Sequence, residues 1–171
     1  MNNCSMLSPE FPDWAALPDL RVTGKGSDCE LSDVGGEIRF YIRTDGSGLV
    51  SLSRAERSES EEPIMSSTAA IDIERFVTMY VGSHIRLLRG MEPIVLPWRQ
   101  SEVAPGYVIE TIDTDVVALH CPNGSSTPHF VGRGDPQPVV RYSYYAGSGL
   151  DVLRESLIDP AGIPLFSLSL S

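Results

Sequence analysis

The chain has 171 residues and a mass of 18.6 kDa, and 42% of its residues are hydrophobic, with a mean hydropathy of -0.04. This length and composition predict a single globular domain over residues 1–171. The chain has 13 Lys and Arg residues against 23 Asp and Glu residues, which leaves a net charge of -10. Such an acidic surface repels phosphate backbones and anionic lipids, which argues against nucleic-acid and membrane partners. No apolar run approaches the roughly 20 residues that span a bilayer.

The N-terminus and the cysteines bear on the cellular compartment. Residues 1–10 lack a basic region followed by an apolar core, so they do not resemble a secretory signal peptide and we expect a cytoplasmic protein. The chain has three cysteines, Cys4, Cys29 and Cys121, which cannot all pair within one molecule. Because thiols stay reduced in the cytoplasm, the sequence predicts three free cysteines.

The first third of the chain predicts a short helix and a β-hairpin. An apolar cluster between Phe11 and Leu20, interrupted by prolines, indicates one or two helical turns near the N-terminus. Residues 37–43 and 49–54 are β-rich runs separated by the sequence DGSG. This pattern is a hairpin signal, because glycine accepts the positive φ that tight turns require. The first run alternates apolar and polar residues, which predicts one buried face.

One long amphipathic helix is predicted at about residues 68–89. Its apolar residues recur at helical spacing and define one face, which we expect to be buried: Ile73, Phe76, Val77, Tyr80, His84, Leu87 and Leu88. Asp72, Glu74, Arg75 and Arg86 fall mostly on the opposite side, which is expected to face solvent. Gly90 is placed to take the left-handed conformation that ends the helix.

The remaining sequence predicts further strands and one short helix. These elements are strands at 106–112, 115–121, 129–131 and 165–168, and a helix at 149–157. Residues 139–145 fit either a strand or a helix. The sum is an α+β fold, in which one long amphipathic helix packs across an antiparallel β-sheet, with shorter helices near the N-terminus and at about 149–157.

No pattern typical of catalysis is present in the sequence. It contains no GxxxxGK[ST] phosphate loop, GxSxG nucleophile elbow, HExxH pair or CxxC pair. His120, Cys121 and His129 cluster loosely across a glycine-containing loop. They leave open an alternative function, a small enzyme or a ligand- or metal-binding domain. Zinc, however, usually takes four ligands in closely spaced pairs, so this cluster is a weak metal site.

Short sequence blocks, arranged in order along nearly the whole chain, resemble a known family. The blocks are FPDWAAL at 11–17, GGEIRF at 35–40, LSRAER at 52–57, IERF at 73–76, IR at 85–86, RG at 89–90, LPW at 96–98, APGY at 104–107 and LIDPAGIPLF at 157–166. Together they resemble the actinobacterial immunity factors of polymorphic toxin systems, typified by the antitoxin of the tuberculosis necrotizing toxin. The collinear order of the blocks carries the specificity of the resemblance.

The resemblance implies an antitoxin that binds the catalytic domain of a cognate toxin, an NAD(+) glycohydrolase, and blocks the site where NAD would enter. It implies a cytoplasmic protein that is not an enzyme and needs no cofactor. The free protein is expected to be a monomer and to form a 1:1 heterodimer with the toxin. The residues themselves suggest where contact is made. The acidic run of Glu59, Glu61 and Glu62 is a candidate toxin-binding surface, because a basic NAD-binding cleft would attract it.

Overall fold

The computed structural model describes residues 4–25, 27–122, 124, 126–132 and 137–166. None of the described helices is both long enough and apolar enough to cross a membrane. In chain order the elements are α1 (Phe11–Ala16), β1 (Arg21–Lys25), β2 (Asp28–Ser32), β3 (Ile38–Thr44), β4 (Val50–Glu56), β5 (Glu62–Ser67), α2 (Ala70–Leu88), a short 3-10 helix (Gln100–Glu102), β6 (Val108–Asp113), β7 (Val116–His120), β8 (His129–Val131), α3 (Gln137–Ser143) and α4 (Leu150–Ile158).

The described strands form one antiparallel sheet in the order β1-β2-β3-β4-β5-β8-β7-β6. β1 to β5 follow one another as neighbours, and β3 and β4 form the predicted hairpin, with Ile38 opposite Glu56. α2 carries the chain to the far edge, where β6 and β7 form another hairpin. β8 then fills the place beside β5, with Met65 opposite Phe130. The predicted α+β fold is therefore confirmed, including its long helix and the shorter helices.

The hydrophobic core lies between α2 and one face of the sheet. In β3, the buried residues Phe40 and Ile42 alternate with partly exposed ones, as a strand with one covered face requires. The Tyr80 ring of α2 stands edge-on to the Phe40 ring, with centroids 4.5 Å apart. Phe76 of α2 lies 6.4 Å from Phe130 of β8, measured between ring centroids. These contacts place α2 across the middle of the sheet.

The covered face of α2 differs from the predicted one. The buried residues of the helix are Asp72, Ile73, Glu74, Val77, Thr78, Val81, Gly82, Ile85 and Arg86. Three of the predicted core residues, Phe76, Tyr80 and His84, are only half-buried, and Leu87 and Leu88 are 75% and 65% exposed. Of the four charged residues predicted to face solvent, Asp72, Glu74 and Arg86 are buried instead, and Arg75 is partly buried. The covered face is thus rotated by roughly a quarter of a turn from the prediction.

Asp72, in the first turn of α2, ties the helix to β5 and α3. Its carboxylate accepts a hydrogen bond from Ser67 Oγ at 2.7 Å and one from the Tyr142 hydroxyl at 3.0 Å. It also forms an ion pair with Arg75 at 3.2 Å. Burial, with the nearby Asp72 charge, raises the pKa of Tyr142 well above its ordinary value, so this hydroxyl remains a donor. The buried carboxylate therefore has the donors that its desolvation requires.

Arg86, near the end of α2, is among the largest fully buried side chains. Its guanidinium donates hydrogen bonds to four backbone carbonyls, those of Glu92 at 2.8 Å, Leu157 at 3.2 Å, Asp159 at 2.6 Å and Pro160 at 3.0 Å. Burial lowers the pKa of Arg86 from its ordinary value, and the negative charge of Asp159 opposes this change. One side chain thereby joins the ends of α2 and α4.

Two predictions near the C-terminus are resolved by the structure. Residues 139–145, which fitted a strand or a helix, form most of α3 and the turn after it. The strand predicted at 165–168 is wrong for Leu165 and Phe166, while positions 167 and 168 lie outside the described residues. The backbone N–H of Leu165 donates to Ser156 Oγ at 2.9 Å, and that of Phe166 donates to the Gly162 carbonyl at 2.8 Å. These local hydrogen bonds take the place of the hydrogen bonds that a neighbouring strand would supply.

The prediction of three free thiols is wrong for two of the cysteines. Cys4 and Cys29 form a disulfide, with their Cα atoms 5.6 Å apart, and Cys121 is free. The N-terminal segment lies against β1, so closely that a Cβ on Gly24 would be 3.3 Å from Cys4. Gly24 is paired with Cys29 of β2, and this packing brings the two cysteines together. Because the two cysteines are 25 residues apart in the sequence, no local sequence pattern predicts that they pair.

The ion pair of Glu74 and Arg154 predicts that a substitution of Glu74 will lower the stability of the protein strongly, although the sequence placed Glu74 on the solvent-facing side of α2. The carboxylate lies 2.9 Å from the guanidinium, and it also accepts a hydrogen bond from the Ser8 backbone N–H at 2.9 Å. Glu74→Ala would leave the partly buried Arg154 without its carboxylate and with the Ser8 hydroxyl as acceptor, so we expect a loss of about 3 kcal/mol in the free energy of unfolding, measured by urea denaturation. The control Glu155→Ala, at an exposed position of α4, should change it by less than about 0.5 kcal/mol. Small and equal effects would contradict the buried pair.

The cysteine arrangement predicts one reactive thiol per chain. Denatured protein that has not been reduced should give one equivalent in a thiol titration, and Cys121→Ser should give none. In the native protein, burial raises the pKa of Cys121, so its alkylation should reach the half-maximal rate at a higher pH than that of an exposed thiol. A titration of three equivalents without reduction would contradict the disulfide.

Candidate functional site

The structure divides the predicted acidic run between two surfaces. Glu59 lies exposed in the turn between β4 and β5, and Glu62 is the first residue of β5. Both residues line a cavity of about 320 Å³, together with Glu56 at the end of β4. Glu61 lines a different cavity, of about 240 Å³, with Arg43. The run is therefore not one continuous acidic surface.

Glu61 is hydrogen-bonded to side chains of β3 and β4. Its carboxylate accepts two hydrogen bonds from the Arg43 guanidinium, one of them 3.0 Å long from Nη2 to Oε2, and another from the Ser53 hydroxyl. The hydrogen bond from Arg43 lowers the pKa of the Glu61 carboxyl below its ordinary value, with a smaller contribution from Ser53. The carboxylate thus stays ionised, but the adjacent positive charge reduces the field it presents to a partner.

A larger groove lies beside α2, and we call it the α2–α3 groove. One wall is the helix, from Phe76 to Ser83, and the opposite wall is formed by α3 and the turn after it, including Arg141. The third side is the extended segment 94–98, which follows α2. The groove has a volume of about 690 Å³, which lies within the range of protein ligand sites and of pockets that receive anchoring side chains.

The walls of the α2–α3 groove are mainly apolar and partly open to solvent. Val95 is 81% exposed and Trp98 is 47% exposed, whereas Leu96 between them is buried. Burial raises the pKa of Tyr80, which lines the helical wall, so its hydroxyl is uncharged near neutral pH. Arg141 on α3 adds a positive charge to the lining. The arrangement can bind an apolar group, and the described lining residues bring no nucleophile and base together.

The groove and the acidic cavity are adjacent. Phe76 and Pro138 line both of them, so the acidic cavity adjoins one end of the α2–α3 groove, which we call its acidic end. Among the described residues, that end is lined by the carboxylates of Glu56, Glu59 and Glu62 and by the guanidinium of Arg54, which pairs with Glu56 at 2.9 Å. An apolar surface with an acidic end is typical of an interface that combines buried anchors with complementary charge at its rim.

The alternative site is not assembled. Within the part of the chain that the structure describes, no three His, Cys, Asp or Glu side chains could together hold a metal ion, and this covers His120, Cys121 and His129. His120 is exposed, with Nε2 2.6 Å from Glu110 Oε2 across the β6–β7 hairpin. His129 lies in β8 opposite Ala118. Cys121 is half-buried, and the raised pKa of its thiol makes it a poor nucleophile.

The sequence analysis did not identify the groove. Phe76 and Tyr80 were assigned to the core because they continue the apolar stripe of α2. A signal was nevertheless present, since apolar side chains surround more than half of the helix: Ile71, Ile73, Phe76, Val77, Met79, Tyr80, Val81, Ile85, Leu87 and Leu88. An apolar surface this wide indicates contacts on more than one side of the helix. The proline-flanked segment 93–98, with its tryptophan, was a second signal of an apolar surface near the helix.

Comparison with known proteins agrees with this architecture. A relative named "Immunity factor for TNT", from Mycobacterium tuberculosis, is 26% identical over 174 residues, which cover 95% of this chain and 93% of the relative. The relative named "Immunity factor for TNT homolog", from Mycobacterium bovis, matches to the same extent. The solved structure of Rv3902c from M. tuberculosis has the same fold, with a TM-score of 0.82 at 23% identity, over 100% of this chain and 99% of that one.

The family assignment rests on a match along most of the chain. The profile of the family described as "Immunity protein 61" matches residues 14–165. This range begins within α1 and ends after α4, so it includes the whole sheet, α2 and all sides of the α2–α3 groove. The resemblance found in the short sequence blocks is confirmed, and the chain belongs to the immunity protein 61 family.

Proposed function

We propose that this chain is an antitoxin that binds the catalytic domain of a cognate toxin, an NAD(+) glycohydrolase, and inhibits it by occluding the active site. The immunity role follows from the family, and two relatives are named as immunity factors for TNT. The observation that carries the binding step is the α2–α3 groove, an open apolar surface with an acidic end. Such a surface suits a protein partner better than a small polar substrate.

Inhibition of this kind needs no chemistry from the antitoxin. The chain acts in the cytoplasm of the producing cell, without a cofactor, as a monomer that forms a 1:1 heterodimer with the toxin. A stable interface between two proteins buries about 1,600 Å² and derives most of its affinity from a few buried anchors. The groove offers anchoring positions, and a bound toxin domain that covers it would hold its own active site against the acidic end.

Charge at that end favours a toxin with a basic cleft. An NAD-binding site needs positive charge for the two phosphates of its substrate, and the chain carries a net charge of -10. Glu59, Glu61 and Glu62 are our proposed toxin-binding carboxylates. The Arg43 contact reduces the charge that Glu61 presents to a partner. Glu59 and Glu62 line the cavity at the end of the groove. Complementary charge mainly raises the association rate.

Co-expression tests the inhibitory function. Bacterial cells that produce a cognate toxin domain should keep their NAD and survive only when the chain is also produced, and the two proteins should co-purify. The variant His120→Ala, Cys121→Ala, His129→Ala should protect equally well, because these residues form no metal-binding group in the described structure and none of them lines the groove. Loss of NAD without a co-purified complex would contradict the proposed function for that pair. Loss of protection only in the folded triple variant would favour the alternative site.

Surface plasmon resonance at several salt concentrations tests the charge contribution. Changing Glu59, Glu61 and Glu62 to Gln should slow association about ten-fold at low salt and flatten its salt dependence, with little effect on dissociation. Glu61→Gln alone should change the association rate less than Glu59→Gln alone, because Arg43 already offsets the Glu61 charge.

The control removes the same charge elsewhere. Asp13→Asn, Asp151→Asn and Glu155→Gln alter exposed positions on α1 and α4 that line neither the groove nor the acidic cavity. This variant should retain most of the association rate and its salt dependence. Equal slowing by both triple variants would mean that net charge alone, and not the acidic end of the groove, steers the toxin.

A further inference from the structure

The half-buried stripe of α2 is only partly covered within the described fold, since Tyr80 packs on Phe40 and Phe76 lies near Phe130 while both side chains also border the groove. Phe76, Met79, Tyr80 and Ser83 follow one another at helical spacing and form the helical wall of the α2–α3 groove. Leu87 continues the same stripe and is 75% exposed. Continuous apolar surface of this kind is uncommon on a protein that functions alone, and it marks a binding surface.

The segment 94–98 presents its apolar side chains in a fixed arrangement. Leu96 is buried and anchors the segment to the core, while Val95 and Trp98 stay exposed. Pro93 and Pro97 restrict the backbone on both sides. The Arg99 guanidinium lies 5.3 Å from the centre of the Trp98 ring, so the ring also has a polar neighbour. A side chain presented on a restrained backbone loses little conformational entropy on binding, which favours its use as an anchor.

We infer that the α2–α3 groove receives an apolar side chain, aromatic or branched aliphatic, projecting from a positively charged segment of the toxin's catalytic domain. This inference rests on the proposed function and names the anchor of that complex. The apolar walls around Phe76 and Trp98 would bury the projecting side chain. The carboxylates of Glu56, Glu59 and Glu62 at the adjoining end would contact the positive charges that flank it.

Volume and charge both favour this occupant. A space of about 690 Å³ is large enough for a bulky side chain and its neighbours. A second copy of this chain is disfavoured. A two-fold symmetric dimer places the same surface of both molecules together, and the acidic ends of the two grooves would then lie close to one another. With a net charge of -10 on each chain, such an arrangement would be repulsive.

Two substitutions in the groove and one matched control test the inference. Trp98→Ala and Val95→Gln should each raise the Kd for the catalytic domain of a cognate toxin by about ten-fold or more, since each removes part of the apolar wall that would bury the toxin's side chain. The control Val34→Gln makes the same change at a residue that is 61% exposed in the turn between β2 and β3, away from the groove. It should leave the Kd unchanged. Circular dichroism and urea denaturation establish that each variant is folded.

Fluorine NMR gives a second measurement that does not depend on substitution of the groove. The chain has two tryptophans, Trp14 and Trp98, so protein labelled with 5-fluorotryptophan gives two resonances, and Trp98→Ala assigns them. Trp14 is buried in the core, and Trp98 is 47% exposed. Saturation with unlabelled toxin domain should shift the Trp98 resonance and leave the Trp14 resonance in place. An unshifted Trp98 resonance would overturn the inference.

The outcomes separate the anchor from the proposed function. If the wild-type chain binds and inhibits the toxin, but the groove variants bind as tightly as Val34→Gln, the groove does not receive the toxin's anchoring side chain. The proposed function is then unaffected. If the wild-type chain forms no complex with the toxin, both the inference about the groove and the proposed function are contradicted. Sedimentation of the chain alone provides one more outcome. A dimer that Trp98→Ala dissociates would show that a second copy occupies the groove, and it would overturn the inference.

Discussion

The rotation of α2 about its own axis determines which of its side chains are available to a partner. Three charged residues fix this rotation, because their partners lie on the covered side of the helix. Asp72 binds the Tyr142 hydroxyl, Glu74 pairs with Arg154, and Arg86 donates to four backbone carbonyls. Leaving any of these charges buried without its partners would be costly, so the helix cannot turn its apolar stripe fully into the core.

The consequence is an apolar surface that stays open. Since the charged residues occupy the covered side, Phe76, Met79 and Tyr80 form one wall of the α2–α3 groove, and the segment 94–98 forms another. The same helix therefore serves two purposes, as the centre of the core and as part of the candidate interface. A family whose members bind toxins needs a stable scaffold and an exposed recognition surface, and the buried charges of α2 supply a physical link between the two.

The sequence predicted the fold well where the signals are local. The Asp-Gly turn between β3 and β4 and the spacing of apolar residues in α2 depend on neighbours only a few residues apart. It failed where distant partners decide the outcome. Glu74 looks like a solvent-facing residue until Arg154, 80 positions later, is placed beside it. The Cys4–Cys29 disulfide and the separation of Glu61 from Glu59 are likewise set by packing between strands, which no single sequence displays.

Hydrogen–deuterium exchange of the free chain and of its complex with the toxin domain tests most directly whether the surface left open by α2 is the recognition surface. Segment 94–98 lies outside the helices and strands, so its amides should exchange rapidly in the free chain. In the complex, exchange should slow in 94–98 and in residues 76–83 of α2, while β1 and β2 should exchange as before. Protection confined to β1, β2 or the β6–β7 hairpin, with 94–98 unchanged, would contradict the account.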